Sequence, residues 1–267
     1  MTDIHPTAVI EDGAQIAASA KIGPFCWISS RAKIGENVQL LGRVTIMGDT
    51  TVGEGTIVFP GACLGGGPQD HGNEFKEEAK LIIGKNNSIR EYATMQPGTP
   101  GDKNVTVVGD NGLFMIGTHI AHDCVVGNNV LMSNNATLAG HVKVGDNVII
   151  GGLSAVHQFS RIGAHAMVGG MCGITRDVIP YSLISFNCLE GVNIVGLKRR
   201  GFSLVVINNL RLAVSEIFKG EGTLSDRIKR VGEAYHDCAP VQEIVEFMQT
   251  DYKRGFMQPS AKTSIAE

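Results

Sequence analysis

Ile120-Ala-His122-Asp123-Cys-Val, Leu138-Ala-Gly140-His141-Val-Lys and Val156-His157-Gln158-Phe-Ser-Arg begin 18 residues apart (138 − 120 = 18; 156 − 138 = 18). Each segment opens on an aliphatic residue and then carries polar residues or glycine. Outward from this stretch, aliphatic residues recur every six positions. They run from Ile10, Ile16 and Ile22 through Leu64, resume at Ile83, Ile89 and Met95, and resume again from Val108 to Ile174. Four residues after most of them stands a small or branched residue, such as Ala14, Ala20, Cys26, Ala32 or Thr56.

A sustained hexad predicts an all-β left-handed parallel β-helix. Each hexad is a short strand and a turn, and three hexads make one triangular coil. The aliphatic side chain fills the prism. The small residue shares that interior, where a larger one overpacks. Residues 18 apart then stack on adjacent coils, roughly 4.8 Å from one another. Gly140 falls on His122, Gln158 on Gly140, and His141 on Asp123. The repeat alone therefore gathers His122, Asp123, Gly140, His141 and Gln158 on one ridge within about 10 Å.

The hexads break at residues 65–82 and again at 100–107, as loop insertions of the kind that often build a solenoid's binding face. They stop after Ile174. The reading is a β-helix over 1–185 and a small α-helical domain over 186–267, with a loose tail. The pattern turns helical from Leu189. Ser203 caps a helix that stops at Gly220, Thr223-Leu-Ser-Asp226 resembles a capping box, and Pro240 opens a helix towards Lys253.

The net charge of −3 excludes a general nucleic-acid footprint. No 18-residue apolar run predicts membrane insertion, and Met1-Thr-Asp-Ile-His-Pro6 has no signal-peptide pattern. Cys26, Cys124 and Cys172 occupy the small interior position and no CxxC occurs. The cysteines are therefore expected to be reduced packing residues of a cytoplasmic protein.

His122-Asp123 is the candidate reacting pair. A histidine near its intrinsic pKa suits a general base at neutral pH. A carboxylate on its other nitrogen fixes the tautomer. Both follow Ile120 at turn positions and are expected to face out of the prism. Gly140 places a bare backbone amide beside His122, suited to an oxyanion. No serine or cysteine nucleophile accompanies them, which favours direct transfer over a covalent intermediate. His165 has no catalytic partner at the 18-residue spacing and reads as surface. The basic run Lys198-Arg199-Arg200 is a candidate phosphate site.

At these residues the chain resembles the UDP-N-acetylglucosamine acyltransferases that begin lipid A synthesis. The matching stretches are His119-Ile-Ala-His122-Asp123-Cys, Ser133 to Val142 with its Leu-Ala-Gly-His, Ala155-Val-His157-Gln158-Phe, Met167-Val-Gly-Gly170 and Gly196-Leu-Lys-Arg199-Arg200-Gly-Phe. The resemblance implies a cytoplasmic homotrimer with active sites between neighbouring prisms. It implies transfer of an R-3-hydroxyacyl chain from acyl carrier protein to the 3-position of a UDP-sugar. No metal or separate cofactor is implied, because the acyl group arrives on the carrier's phosphopantetheine. His122 becomes the base, Asp123 its orienter and Gly140 the oxyanion amide. His119, His141, His157 and Gln158 become substrate-positioning residues. Asn193, Arg199 and Arg200 match nucleotide and phosphate contacts, Asp70 a sugar contact, and Gly170 the acyl-chain ruler.

The chain departs from the family pattern on the sugar-nucleotide side. Gln69-Asp70-His71-Gly72-Asn73 replaces a usual Gln-Asp-Leu-Lys-Tyr, and Thr94-Met-Gln96-Pro97-Gly-Thr99 replaces Thr-Ile-His-Arg-Gly-Thr. The segment Phe186-Asn-Cys-Leu-Glu is shortened, and Val195 stands where glutamate is common. These changes leave an alternative acceptor open, a 3-amino sugar nucleotide that forms an amide. A second alternative is a zinc hydratase of the β-helical carbonic anhydrase type, with His119, His122 and His141 as ligands across a subunit boundary.

Overall fold

The computed structural model describes residues 3–69, 79–100, 102–250 and 254–260. Among the described residues short strands, all parallel but the last, stack into three sheets of eleven, nine and eight strands, the walls of a left-handed triangular prism. The register is the one the hexads dictate. Ile120 pairs with Leu138, Leu138 with Val156 and Val156 with Ile174, each pair one full coil of three hexads apart. Ile22, Ile28, Ile46, Ile120, Leu138 and Ile150 are all buried inside. So are the small-position residues Ala20, Cys26, Ala32, Thr56 and Cys124. One non-glycine residue per turn often adopts a left-handed backbone. Asn129, Asn135 and Asn147 do so (φ 55°, 58° and 60°), and asparagine tolerates that region best among non-glycine residues.

Two coils are longer than three hexads. Cys63 pairs with Thr94, where an uninterrupted coil would bring it to Leu81. Thr94 pairs with His119, where an uninterrupted coil would bring it to Gly112. Both insertions leave between the nine-stranded and eight-stranded sheets, the corner that also carries His122. Each interruption ends sooner than the hexads suggest, because Lys80–Ile83 and Val105–Val108 are strands. Leu81 occupies the small interior position of its strand and is fully buried. That large side chain hides the hexad from a rule that expects a small one.

The end of the chain differs from the sequence reading in one element. Cys188–Val192 is a strand, antiparallel to Ser182–Ser185, not the start of a helix. Phe186 and Asn187 form its two-residue turn with φ of 48° and 61°, the backbone of the hairpin turn that matches strand twist. The shortened segment is therefore a tight hairpin. Among the described residues four helices follow, α1 (Ile194–Arg199), α2 (Leu204–Lys219), α3 (Leu224–Ala234) and α4 (Ala239–Gln249). Ser203 caps α2, and Gly220 follows its end. Thr223 and Asp226 form a reciprocal capping box on α3. Pro240 lies in the first turn of α4. That helix stops at Gln249, short of Lys253, which lies outside the described residues. None of the described helices is long and apolar enough to cross a membrane.

Candidate active site

His122 and Asp123 sit in the turn after His119–Ile120 and are nearly buried, at 8% and 6% exposure. A turn of the prism surface was expected to leave them open. The second insertion, on the preceding coil, covers them instead. Its Thr99 N–H donates to Asp123 Oδ1 at 2.9 Å, and its hydroxyl donates to Oδ2 at 2.6 Å. Its Asp102 carboxylate lies 3.0 Å from His141 Nδ1, and that hydrogen bond holds the Asp102 carboxyl below the usual carboxylate range. Asp123 has φ of 59°, His141 62° and Phe159 65°. The left-handed turn that asparagine fills elsewhere here points functional side chains along one corner.

The proton arrangement follows from these contacts. His122 Nδ1 lies 2.9 Å from Asp123 Oδ2. A carboxylate only accepts, so Nδ1 carries the hydrogen and Nε2 keeps its lone pair. Gly140 stacks beside that imidazole, where a Cβ would fall 2.6 Å from Nε2. Its carbonyl accepts from Phe159 N–H at 3.1 Å. Its own N–H has no partner among the described residues. The site thus pairs a lone-pair nitrogen with an unused amide donor.

His119 is held through Nδ1 by the Thr94 hydroxyl at 2.8 Å. Burial pushes its pKa down, and so does the repulsion it would meet from His122 if both rings were protonated. His141 meets His122 edge to face at 5.1 Å between centroids and stacks on Phe159 at 4.5 Å. His157 and Gln158 occupy the next turn of the ridge, with His157 exposed. Gln96 is buried at 4% exposure. Its Nε2 donates to Gly67 C=O at 3.1 Å, while Oε1 has no partner among the described residues. Cys124 faces the interior, and burial pushes its thiol up to about 12, so it offers no thiolate.

The remaining candidates lie on other corners of the same prism. Gly170 is exposed in the turn from the eleven-stranded to the nine-stranded sheet. Asn193 caps α1 by accepting from Gly196 N–H and donates to His165 C=O at 3.0 Å. Arg200 donates to Asn147 C=O at 2.8 Å. His165 and Asn147 belong to the third corner, between the eight-stranded and eleven-stranded sheets. Arg199 is exposed beside Arg200. His165 is not plain surface. It stacks on Tyr181 at 5.2 Å and meets Phe202 edge-on, and burial lowers its pKa. Asp70 lies outside the described residues.

Among the described residues the group of potential metal donors is His122, Asp123 and His141, with ligand atoms within 4.8 Å of one another. His119 is not in that group, and its Nδ1 meets the Thr94 hydroxyl at 2.8 Å. The Asp123 carboxylate already takes three hydrogen bonds, two from Thr99 and one from His122. That is how an orienting carboxylate is used.

Residues 177–257 match the family described as UDP N-acetylglucosamine O-acyltransferase, domain 2. A relative from Rickettsia canadensis, named acyl-[acyl-carrier-protein]–UDP-N-acetylglucosamine O-acyltransferase, is 52% identical over 259 residues, 96% of this chain and 97% of the relative. One of the same name from Caulobacter vibrioides is 47% identical, over 96% of this chain and 98% of its own. The solved UDP-N-acetylglucosamine O-acyltransferase of Moraxella catarrhalis superposes with a TM-score of 0.93 at 35% identity, covering 96% of this chain and 100% of that one. That of Francisella novicida gives 0.91 at 33%, covering 99% and 97%. The full-length match, the prism and the His-Asp ridge agree, and the chain belongs to the acyl-[acyl-carrier-protein]–UDP-N-acetylglucosamine O-acyltransferase family.

Proposed function

We propose that the chain transfers an R-3-hydroxyacyl group from acyl carrier protein to the 3-hydroxyl of UDP-N-acetylglucosamine, the first step of lipid A synthesis, with His122 as general base. One observation carries the assignment of roles. Asp123 fixes the His122 Nδ1 hydrogen, and Nε2 faces a glycine whose amide is unused. Nε2 takes the proton of the acceptor hydroxyl as its oxygen attacks the thioester carbonyl. The new oxyanion accepts a hydrogen bond from Gly140 N–H. Collapse breaks the carbon–sulfur bond, and the imidazolium returns its proton to the departing thiolate. Asp123 stabilises the imidazolium between these steps. No covalent enzyme intermediate or added cofactor is required.

The working unit is a homotrimer. The candidate residues for base, ruler and nucleotide fall on three different corners of one prism. Corners of neighbouring copies would meet in a cleft and complete one site. His119, His141, His157 and Gln158 position substrate along the ridge, while Asn193, Arg199 and Arg200 serve the nucleotide. Asn193 does so by holding α1, since both ends of its amide are already bonded. The six unpaired cysteines suit the cytoplasm.

The relatives' names give the hydroxyl acceptor. Gln96 Oε1 can accept from a hydroxyl or an amine, so the acceptor atom is read by kinetics. The expected result is a kcat/KM for UDP-N-acetylglucosamine at least tenfold above that for its 3-amino analogue, with hydroxyacyl carrier protein as donor. Equal or better use of the amine would replace ester formation with amide formation.

A further inference from the structure

The ridge that carries His122 continues past the residues assigned above. Counted from the paired strand residues Ile120, Leu138, Val156 and Ile174, the second position after each is His122, Gly140, Gln158 and Arg176. Arg176 therefore stands on the same corner three coils beyond the base. Stacked coils put it roughly 14 Å away along the prism. There a cavity of about 510 Å³ is lined, among the described residues, by Phe159, Thr175, Arg176 and Arg254. Phe159 lines this cavity, and its ring stacks on His141 at 4.5 Å between centroids.

The two guanidiniums reach this cavity by design of the backbone. Asp177 N–H donates to Gly255 C=O at 2.9 Å, and Met257 N–H donates to Asp177 C=O at 2.8 Å. This bridge brings Arg254 beside Arg176. The adjacent carboxylate does not neutralise them. Asp177 is buried and committed to Arg161, at 2.8 Å from its N–H and 2.7 Å from Nε. Among the described residues neither Arg176 nor Arg254 has an ion-pair or hydrogen-bond partner. Two unpaired guanidiniums and a hydroxyl on one cavity suit a phosphoryl anion.

We propose that Arg176, Arg254 and Thr175 bind the phosphodiester of the donor's phosphopantetheine arm, an inference that rests on the carrier-dependent transfer proposed above. The length fits. Sulfur to phosphorus in that arm spans about as many bonds as four residues of backbone, roughly 14 Å when extended. A thioester held at His122 thus delivers its phosphate three coils along the ridge. The diphosphate of the sugar nucleotide is the other available anion. Its candidate contacts, Arg199 and Arg200, stand at the end of α1, and UDP binding in the test below separates the two anions.

The test is calorimetric binding of 4′-phosphopantetheine, of pantetheine and of UDP to the full-length protein and to the R176Q/R254Q variant. Phosphopantetheine should bind the native protein and weaken about tenfold or more in the variant, as expected for losing charge-assisted hydrogen bonds. Pantetheine should bind more weakly and equally to both, and UDP should be unaffected. A variant that binds phosphopantetheine as the native protein does would overturn the proposal. Weakened UDP binding would give the site to the nucleotide and overturn it as well. Neither readout needs turnover, so a failure of the transfer reaction in the parallel assay is a separate result.

Discussion

Thr99 donates two hydrogen bonds to the Asp123 carboxylate, one from its N–H at 2.9 Å and one from its hydroxyl at 2.6 Å. Asp123 in turn holds His122 Nδ1 at 2.9 Å. A residue inserted between two coils thereby sets the orientation of the base on the next. Thr99→Val keeps the backbone bond and deletes the hydroxyl beside a buried carboxylate. The expected outcome is a kcat lower by about tenfold or more, little change in KM for the sugar nucleotide, and recovery in Thr99→Ser. An unchanged kcat in Thr99→Val would remove Thr99 from the positioning of the base.

Gly140→Ala tests the close approach. Its Cβ would fall 2.5 Å from His122 Cε1, well inside the roughly 3.5–4.0 Å of a normal carbon contact. The imidazole must shift. A displacement of order 1 Å costs about a hundredfold in rate, and kcat should fall accordingly while the β-helix still forms. Native kcat in this variant would show that the base and the glycine amide do not act on one atom.

Gly170→Met tests the ruler. A Cβ there meets Gly152 C=O at 3.3 Å and Gly152 N at 3.9 Å, and the backbone is not left-handed. The side chain therefore extends outward at small cost. Donors of graded chain length should show a preference for chains longer than about ten carbons in the native enzyme, where only hydrogen fills that space. The variant should prefer shorter ones. An unchanged profile would place the ruler elsewhere.

The coil geometry was legible because each interior position repeats one demand for size. Ile120, Leu138, Val156 and Ile174 stack as the hexad count requires, and with them His122, Gly140 and Gln158. The same count fails across an insertion. Thr99 and Asp123 are separated by 24 positions, and Asp102 and His141 by 39. Neither spacing is a whole number of coils, so the residues that bury and orient the pair were invisible to it. The sequence signal was present in Thr99, which keeps the closing Gly-Thr of a stretch, Thr94-Met-Gln96-Pro97-Gly-Thr99, that otherwise departs from the family pattern. The pattern from Leu189 reads as helical, although Cys188–Val192 is a strand, because a single hairpin strand offers too few alternations to separate the two periods.

The account turns on His122. The decisive measurement is the rate of hydroxyacyl transfer from carrier protein to UDP-N-acetylglucosamine by His122→Ala, beside Asp123→Ala, with folding and trimer formation checked on each. A positioned base contributes about 10²–10⁴-fold. His122→Ala should keep the native assembly and lose at least about a hundredfold in kcat, and Asp123→Ala should lose less because the imidazole remains. A His122→Ala protein retaining more than about a tenth of the native rate would contradict the assignment of the base.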